Sequence, residues 1–116
     1  MNEEMIDTLK SADEYLGNLK NGISTMVTFF QMEEYEKACS YMVSVSKGLD
    51  WLIKAIALTQ EVQKEKIEFE GLNDYFNQIT EALENEDYTL VGDLFEYEIT
   101  PILNDIHEKV KITVAN

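Results

Sequence analysis

The stretch Met5-Ile6-Asp7-Thr8-Leu9-Lys10-Ser11-Ala12-Asp13-Glu14-Tyr15-Leu16-Gly17-Asn18-Leu19-Lys20-Asn21-Gly22-Ile23-Ser24-Thr25-Met26-Val27-Thr28-Phe29-Phe30 places apolar side chains at Met5, Leu9, Ala12, Leu16, Leu19, Ile23, Met26 and Phe30. The steps alternate between four and three, the signature of a stripe along one face of a helix. Gly17 and Gly22 fall off the stripe. They weaken a helix by about 1 kcal/mol each without breaking it, so the spacing predicts one long helix.

The same period resumes after the polar step Gln31–Glu34, at Tyr35, Ala38, Met42, Val45, Leu49, Leu52 and Ile56. Two long amphipathic helices joined by a few residues are expected to pack antiparallel at a shallow angle. Past Thr59 the pattern thins into the mixed-charge run 60–66, and a turn is expected near Gly71. Leu72, Phe76, Ile79 and Leu83 define a shorter third helix, after which 84–87 interrupts the pattern and offers Asn85 or Asp87 as an N-cap. A fourth helix carries Tyr88, Val91, Phe95, Ile99, Ile102, Ile106 and Val110, with Pro101 inside it expected to kink the axis. No segment alternates like a strand. The expectation is an all-α single domain over residues 1–116: an up-down four-helix bundle with two long N-terminal helices, a short third and a Pro-kinked fourth.

Composition bounds what such a bundle can do. The chain has 116 residues, 45% hydrophobic and 28% charged, enough for one core without disulfide or metal. Its nine cations are all lysine against 23 acids, a net charge of −14. Nucleic-acid and anionic-membrane binding both depend on cations, so neither is expected. The N-terminus is acidic and no apolar run approaches the length of a membrane span, which predicts a cytoplasmic protein. Cys39, the lone cysteine, reads as a small buried hydrophobe.

The acids are unevenly spread. Twelve of them lie between Ile67 and Glu108 with no lysine among them, so nearly all the net charge falls on helices three and four. A surface of one sign speeds encounter with a partner of the other. On a helical wheel, Val91, Phe95, Ile99, Ile102 and Ile106 occupy an arc of about 80°, a sufficient core face. Leu90, Leu94, Tyr97 and Pro101 form a second group beside it, and on helix two Trp51, Ala55, Leu58 and Val62 form a stripe away from the core series. These leftover stripes mark either helices buried on both sides, with residues 64–71 folding over Trp51, or a docking surface. The docking reading makes Trp51, Leu58, Leu90, Leu94 and Tyr97 apolar contacts of a partner, and Asp93, Glu96 and Glu98 the charges that orient it.

Chemistry-bearing motifs are sparse. There is no glycine-rich phosphate loop and no nucleophile elbow, and one histidine cannot supply a di-iron bundle. His107 falls opposite the helix-four core arc and is expected at the surface. Residues before Gly92 fail the calcium-loop pattern. The enzymatic alternative is a magnesium-dependent all-α nucleotide pyrophosphohydrolase, whose paired-helix carboxylates the spacing of Glu61, Glu65, Glu68, Glu84 and Asp87 loosely resembles. The doubled Glu of that motif and any arginine for a triphosphate are missing. No catalytic residue, metal ligand or cofactor is therefore assigned.

The segment Glu81-Ala82-Leu83-Glu84-Asn85-Glu86-Asp87-Tyr88-Thr89-Leu90-Val91-Gly92-Asp93-Leu94-Phe95-Glu96-Tyr97-Glu98-Ile99-Thr100-Pro101 resembles short acidic helical proteins of Firmicutes whose role is unassigned. That resemblance implies an all-helical fold and lends no activity. In size and acidity the chain is also similar to flagellar export chaperones, helical bundles that cradle an amphipathic client segment; the likeness is one of fold alone. The function expected from these observations is a non-catalytic interaction module, chaperone- or adaptor-like, that binds a basic or amphipathic protein partner or forms a homodimer. An acidic neutraliser of a cationic toxin is the other binding alternative.

Overall fold

The computed structural model describes residues 2–69 and 71–115; Glu70, one of the twelve acids counted above, lies outside the described residues. The fold is all-helical, with no strand among the described residues. Helix α1 spans Asn2–Gln31 and α2 spans Tyr35–Leu58; a 3-10 turn at Gln60–Val62 and a non-helical linker precede α3, Leu72–Glu84. The fourth helical run has three consecutive parts: α4 (Tyr88–Leu94), a π-helical turn (Phe95–Ile99) and α5 (Thr100–Val114). The globule measures 45 × 23 × 19 Å. Helix α1 lies against α2, α4 and α5, whereas α3 lies against α4 and the π turn.

The α1 stripe becomes core as expected: Leu9, Ala12, Leu16, Leu19, Ile23, Met26 and Phe30 are all buried, and only Met5, near the end, is half-buried. Both Gly17 and Gly22 remain helical, with open space where a Cβ would stand. Gly48 differs. A side chain on it would run into the ring of Tyr15, so this glycine is what lets α2 approach α1 around that ring.

Two tight turns end α1 and α3 in the same way. Glu34 N–H donates to the Phe29 carbonyl across the first, Asp87 N–H to the Ala82 carbonyl across the second, and Glu33 and Glu86 take positive φ values of 59° and 55°. This is the left-handed helix stop usually made by glycine. Asp87 then caps α4, its carboxylate accepting from Leu90 N–H at 3.2 Å, as the sequence allowed. Replacing Asp87 by Ala orphans that donor and is expected to cost about 1 kcal/mol in a denaturant melt.

The fourth run departs from expectation. Between Phe95 and Ile99 the helix widens, and the Phe95 carbonyl accepts from both Thr100 N–H and, at 2.8 Å, Thr100 Oγ1. Pro101 stands at the start of α5 immediately after this turn. Proline supplies no N–H and its ring collides with the carbonyl four residues earlier in a regular helix; the wider turn accommodates it. A π turn holds one more residue than an α turn would, which rotates everything after it by about 100° relative to a uniform wheel. The buried series is therefore Val91, Phe95, Ile99, Leu103, Ile106 and Val110, with Leu103 in the place assigned to Ile102, which is only half-buried.

The same rotation corrects His107. It is buried rather than at the surface, and its Nε2 lies 2.7 Å from Asp13 Oδ1 on α1, with the Lys111 ammonium 3.8 Å from that oxygen. The linker after α2 is fastened through Gln63. The Gln63 amide nitrogen donates to the Ile56 carbonyl at 2.9 Å, and its amide oxygen accepts from Ile67 N–H at 3.2 Å. Lys64 N–H donates to Thr113 Oγ1 near the end of α5, and Ile67 is buried. Cys39 is half-buried at the edge of the core.

Candidate functional site

The residues expected to meet a partner fall into two groups that do not meet each other. Trp51 and Leu58 lie on α2 where it flanks α1. The Trp51 ring sits edge-on to Tyr15 with centroids 5.3 Å apart, in a shallow depression shared with Ser11, Lys47 and Gly48. Trp51 stays 41% exposed and Leu58 74% exposed, so residues 64–69 do not cover them; Lys64 N–H is tied to Thr113 near the end of α5 instead. Ala55, counted in the same stripe, is buried and belongs to the core.

The second group is on α4 and the π turn, where Glu96 Oε2 accepts from Gln31 Nε2 at 3.2 Å. Tyr15 and Gln31 are sixteen positions apart on α1, so the two groups are separated by about 24 Å along that helix. Within the second group Leu90 is 41% and Tyr97 65% exposed, Asp93 is exposed, and Glu96 and Glu98 are half-exposed. Leu94 is not part of this surface. It is 6% exposed and packs in the core, because the rotation at the π turn centres the buried face nearer Leu94 than the uniform wheel placed it.

Electrostatics on this side follow from the missing cations. The carboxylate of Glu98, hydrogen-bonding and charged beside the Tyr75 hydroxyl of α3, holds that phenol above its ordinary range. Tyr35 is raised as well, first by burial and then by the neighbouring Glu33; its ring stacks on Tyr88 with centroids 4.4 Å apart. Neither tyrosine is placed to lose a proton near neutral pH, so both work as apolar surface with a polar tip.

A concave feature was not legible in the sequence. Between α2 and α3 runs a groove of about 390 Å³, walled by Met42 and Ile53 on one side and Phe76 and Leu83 on the other, with Leu49, Ile79 and Phe95 beneath. Its rim is polar, formed by Ser46, Asp50, Asn73 and Thr80. The groove exists because α2 packs along α1 while α3 packs on α4 and the π turn, leaving the two apolar flanks facing across a gap. The available signal was the width of the apolar face on α2, where Ile53 extends the stripe beyond what one neighbouring helix covers.

The carboxylates of the pyrophosphohydrolase alternative do not converge. Glu61, Glu65 and Glu68 flank the linker tied to Thr113, while Glu84 and Asp87 stand at the other end of the fourth helical run, about 40 Å of helix away. Among the described residues no three His, Cys, Asp or Glu side chains gather to hold a metal ion. No described helix is long and apolar enough to cross a membrane.

Residues 7–109 match a family model described as a domain of unknown function, DUF8042. No curated protein matches the chain, and no solved structure does.

Proposed function

The chain belongs to the DUF8042 family, and from its surfaces we propose that it acts as a cytoplasmic protein-protein interaction module, chaperone- or adaptor-like, that takes a basic or amphipathic partner on the acidic surface of α4 and the π turn. One observation carries the reading: Leu90 and Tyr97 stand in solvent among Asp93, Glu96 and Glu98, in a stretch from residue 67 to 108 without a single cation. Exposed aromatic and aliphatic side chains supply the desolvation energy of an interface, and unpaired acids around them select and steer a cationic partner.

The reading includes an up-down arrangement of the four helical runs. The pairs Tyr15–Trp51 and Phe29–Tyr41 between α1 and α2, and Asp13–His107 and Gln31–Glu96 between α1 and the fourth run, support it, since numbers rise on one helix as they fall on the other. It also includes a bend of the fourth run at the π turn and Pro101.

The test compares wild type with the double variant Leu90→Ser, Tyr97→Ser against a basic protein captured from the host and then purified. Binding is expected to fall about tenfold or more in the variant, with helical content by circular dichroism unchanged. Association by wild type is expected to slow markedly as salt rises from about 0.01 to about 0.15 M, because the Debye length shrinks over that range. Unchanged affinity in the variant, together with salt-independent association, rules the surface out.

A further inference from the structure

We infer that the cavity where the end of α1 meets α4 receives the guanidinium of an arginine that a partner inserts while docked on the α4 surface. The inference rests on reading that surface as the docking face and names a side chain it selects. The cavity measures about 340 Å³ and includes the buried Phe30 and Gly92 in its lining. A Cβ on Gly92 would stand 3.4 Å from the Phe30 Cβ, so α4 comes close to α1 there. Phe30, Tyr88 and Tyr35 line the same cavity as a run of nearly parallel rings. Centroids are 6.0 Å apart for Phe30 and Tyr88 and 4.4 Å for Tyr88 and Tyr35, with interplanar angles of 18° and 25°.

The charged residues of the lining are Glu33 and Asp93, and neither has a cationic partner among the described residues. Tyr35 Oη donates to Glu33 Oε1 at 3.5 Å, leaving the other carboxylate oxygen open. Gln31, also in the lining, commits its Nε2 to Glu96 at 3.2 Å, which leaves its Oε1 as an acceptor. Lys37 does not neutralise this group, because it is held by Glu34 at 3.3 Å and lies over the Phe29 ring. The positive ends of α2 and α4 are countered as well, by Glu34 and Glu36 at one and by the Asp87 cap at the other. Acceptors beside stacked rings suit a flat cation. A guanidinium forks its donors onto carboxylates and stacks on aromatic rings, whereas a lysine ammonium is a compact and strongly hydrated point charge. The chain itself contains no arginine, so the occupant is a different molecule and not a second copy.

The probe is N-acetyl-arginine amide, titrated into the full-length chain and followed by amide NMR. Two controls accompany it: N-acetyl-citrulline amide, which keeps the shape without the charge, and N-acetyl-lysine amide. A ligand of this size is expected to bind with a Kd of about 1 mM. Saturating shifts are expected at the amides of Gln31, Glu33, Thr89 and Asp93, with citrulline about tenfold weaker and lysine about threefold weaker. The double variant Glu33→Gln, Asp93→Asn changes exposed positions to near-isosteric neutral side chains, so the fold is kept; it is expected to weaken the arginine probe about tenfold. The Leu90→Ser, Tyr97→Ser variant is expected to keep its affinity for the probe within about twofold. Absence of saturation, citrulline or lysine binding as tightly as arginine, or an unweakened Glu33→Gln, Asp93→Asn variant would each overturn the assignment. If the arginine probe finds no site here while the Leu90→Ser, Tyr97→Ser variant still loses the host partner, this inference falls and the proposed function stands.

Discussion

Leu103→Ala is expected to destabilise the fold by about 3 kcal/mol, while Ile102→Ala, one position away on the same helix, costs about 1 kcal/mol or less. Leu103 is fully buried and Ile102 half-buried. Deleting a buried leucine loses the transfer energy of its methyl groups and leaves a cavity that the helix cannot collapse to fill. For a domain whose total stability lies in the range of about 5–15 kcal/mol, that loss is a large fraction. The melting midpoint should fall by about 12 °C for Leu103→Ala and about 4 °C or less for Ile102→Ala. A uniform helical wheel gives the opposite order, so the pair of melts is a direct test of the π turn. If Ile102→Ala proves the more damaging, Phe95–Ile99 is an ordinary α turn in solution.

The second large effect separates Leu94 from Tyr97. Leu94→Ser removes a buried leucine and places a hydroxyl among apolar side chains, and is expected to cost about 3–4 kcal/mol. Tyr97→Ser, three residues on and 65% exposed, is expected within about 0.5 kcal/mol of wild type. Chemical denaturation of the two variants measures the contrast. Equal, small effects would place Leu94 on the surface with Tyr97 and enlarge the proposed docking face by one leucine.

Much of the fold was legible because most of its helices are regular. The four-and-three spacing from Met5 to Phe30 names the residues that α1 buries apart from Val27, and the polar break at 84–87 places the turn and offers Asp87, beside Asn85, as the cap. What sequence reading missed traces largely to one local event. The uniform wheel keeps a constant step of about 100°, and a single wide turn violates it. Leu103 and His107, which follow the wide turn, were misplaced in the direction the extra residue rotates them, and Leu94, which precedes it, because the rotated residues centre the buried face nearer to it. The signal was present: Val91, Phe95, Ile99 and Leu103 are separated by three successive steps of four, which a regular α-helix does not sustain on one face. The groove was missed for a different reason. Periodicity reports that a helix face is apolar, but which neighbour covers it is decided by tertiary packing, here by α3 choosing α4 over α2.

The α4 surface and the α2–α3 groove differ in the range of the forces they present. Exposed acids act at a distance and lose reach with salt, whereas the apolar walls act only on contact and hold through desolvation. Phe95 joins the two regions, since it forms the floor of the groove and is the first residue of the π turn whose outward side carries Glu96 and Tyr97.

That turn also makes the gene tolerant of a change in length at one place. Loss of the Tyr97 codon, with Pro101 exchanged for a helix former, would tighten Phe95–Ile99 into a common α turn and restore the alternation of fours and threes through to Val110, so the interior would keep its inward-pointing set. The same loss farther along α5 would swing every later side chain by about a quarter of a revolution and scatter that set. Single-residue deletions among descendants of this chain should therefore gather at residues 95–99 rather than spread along the helix.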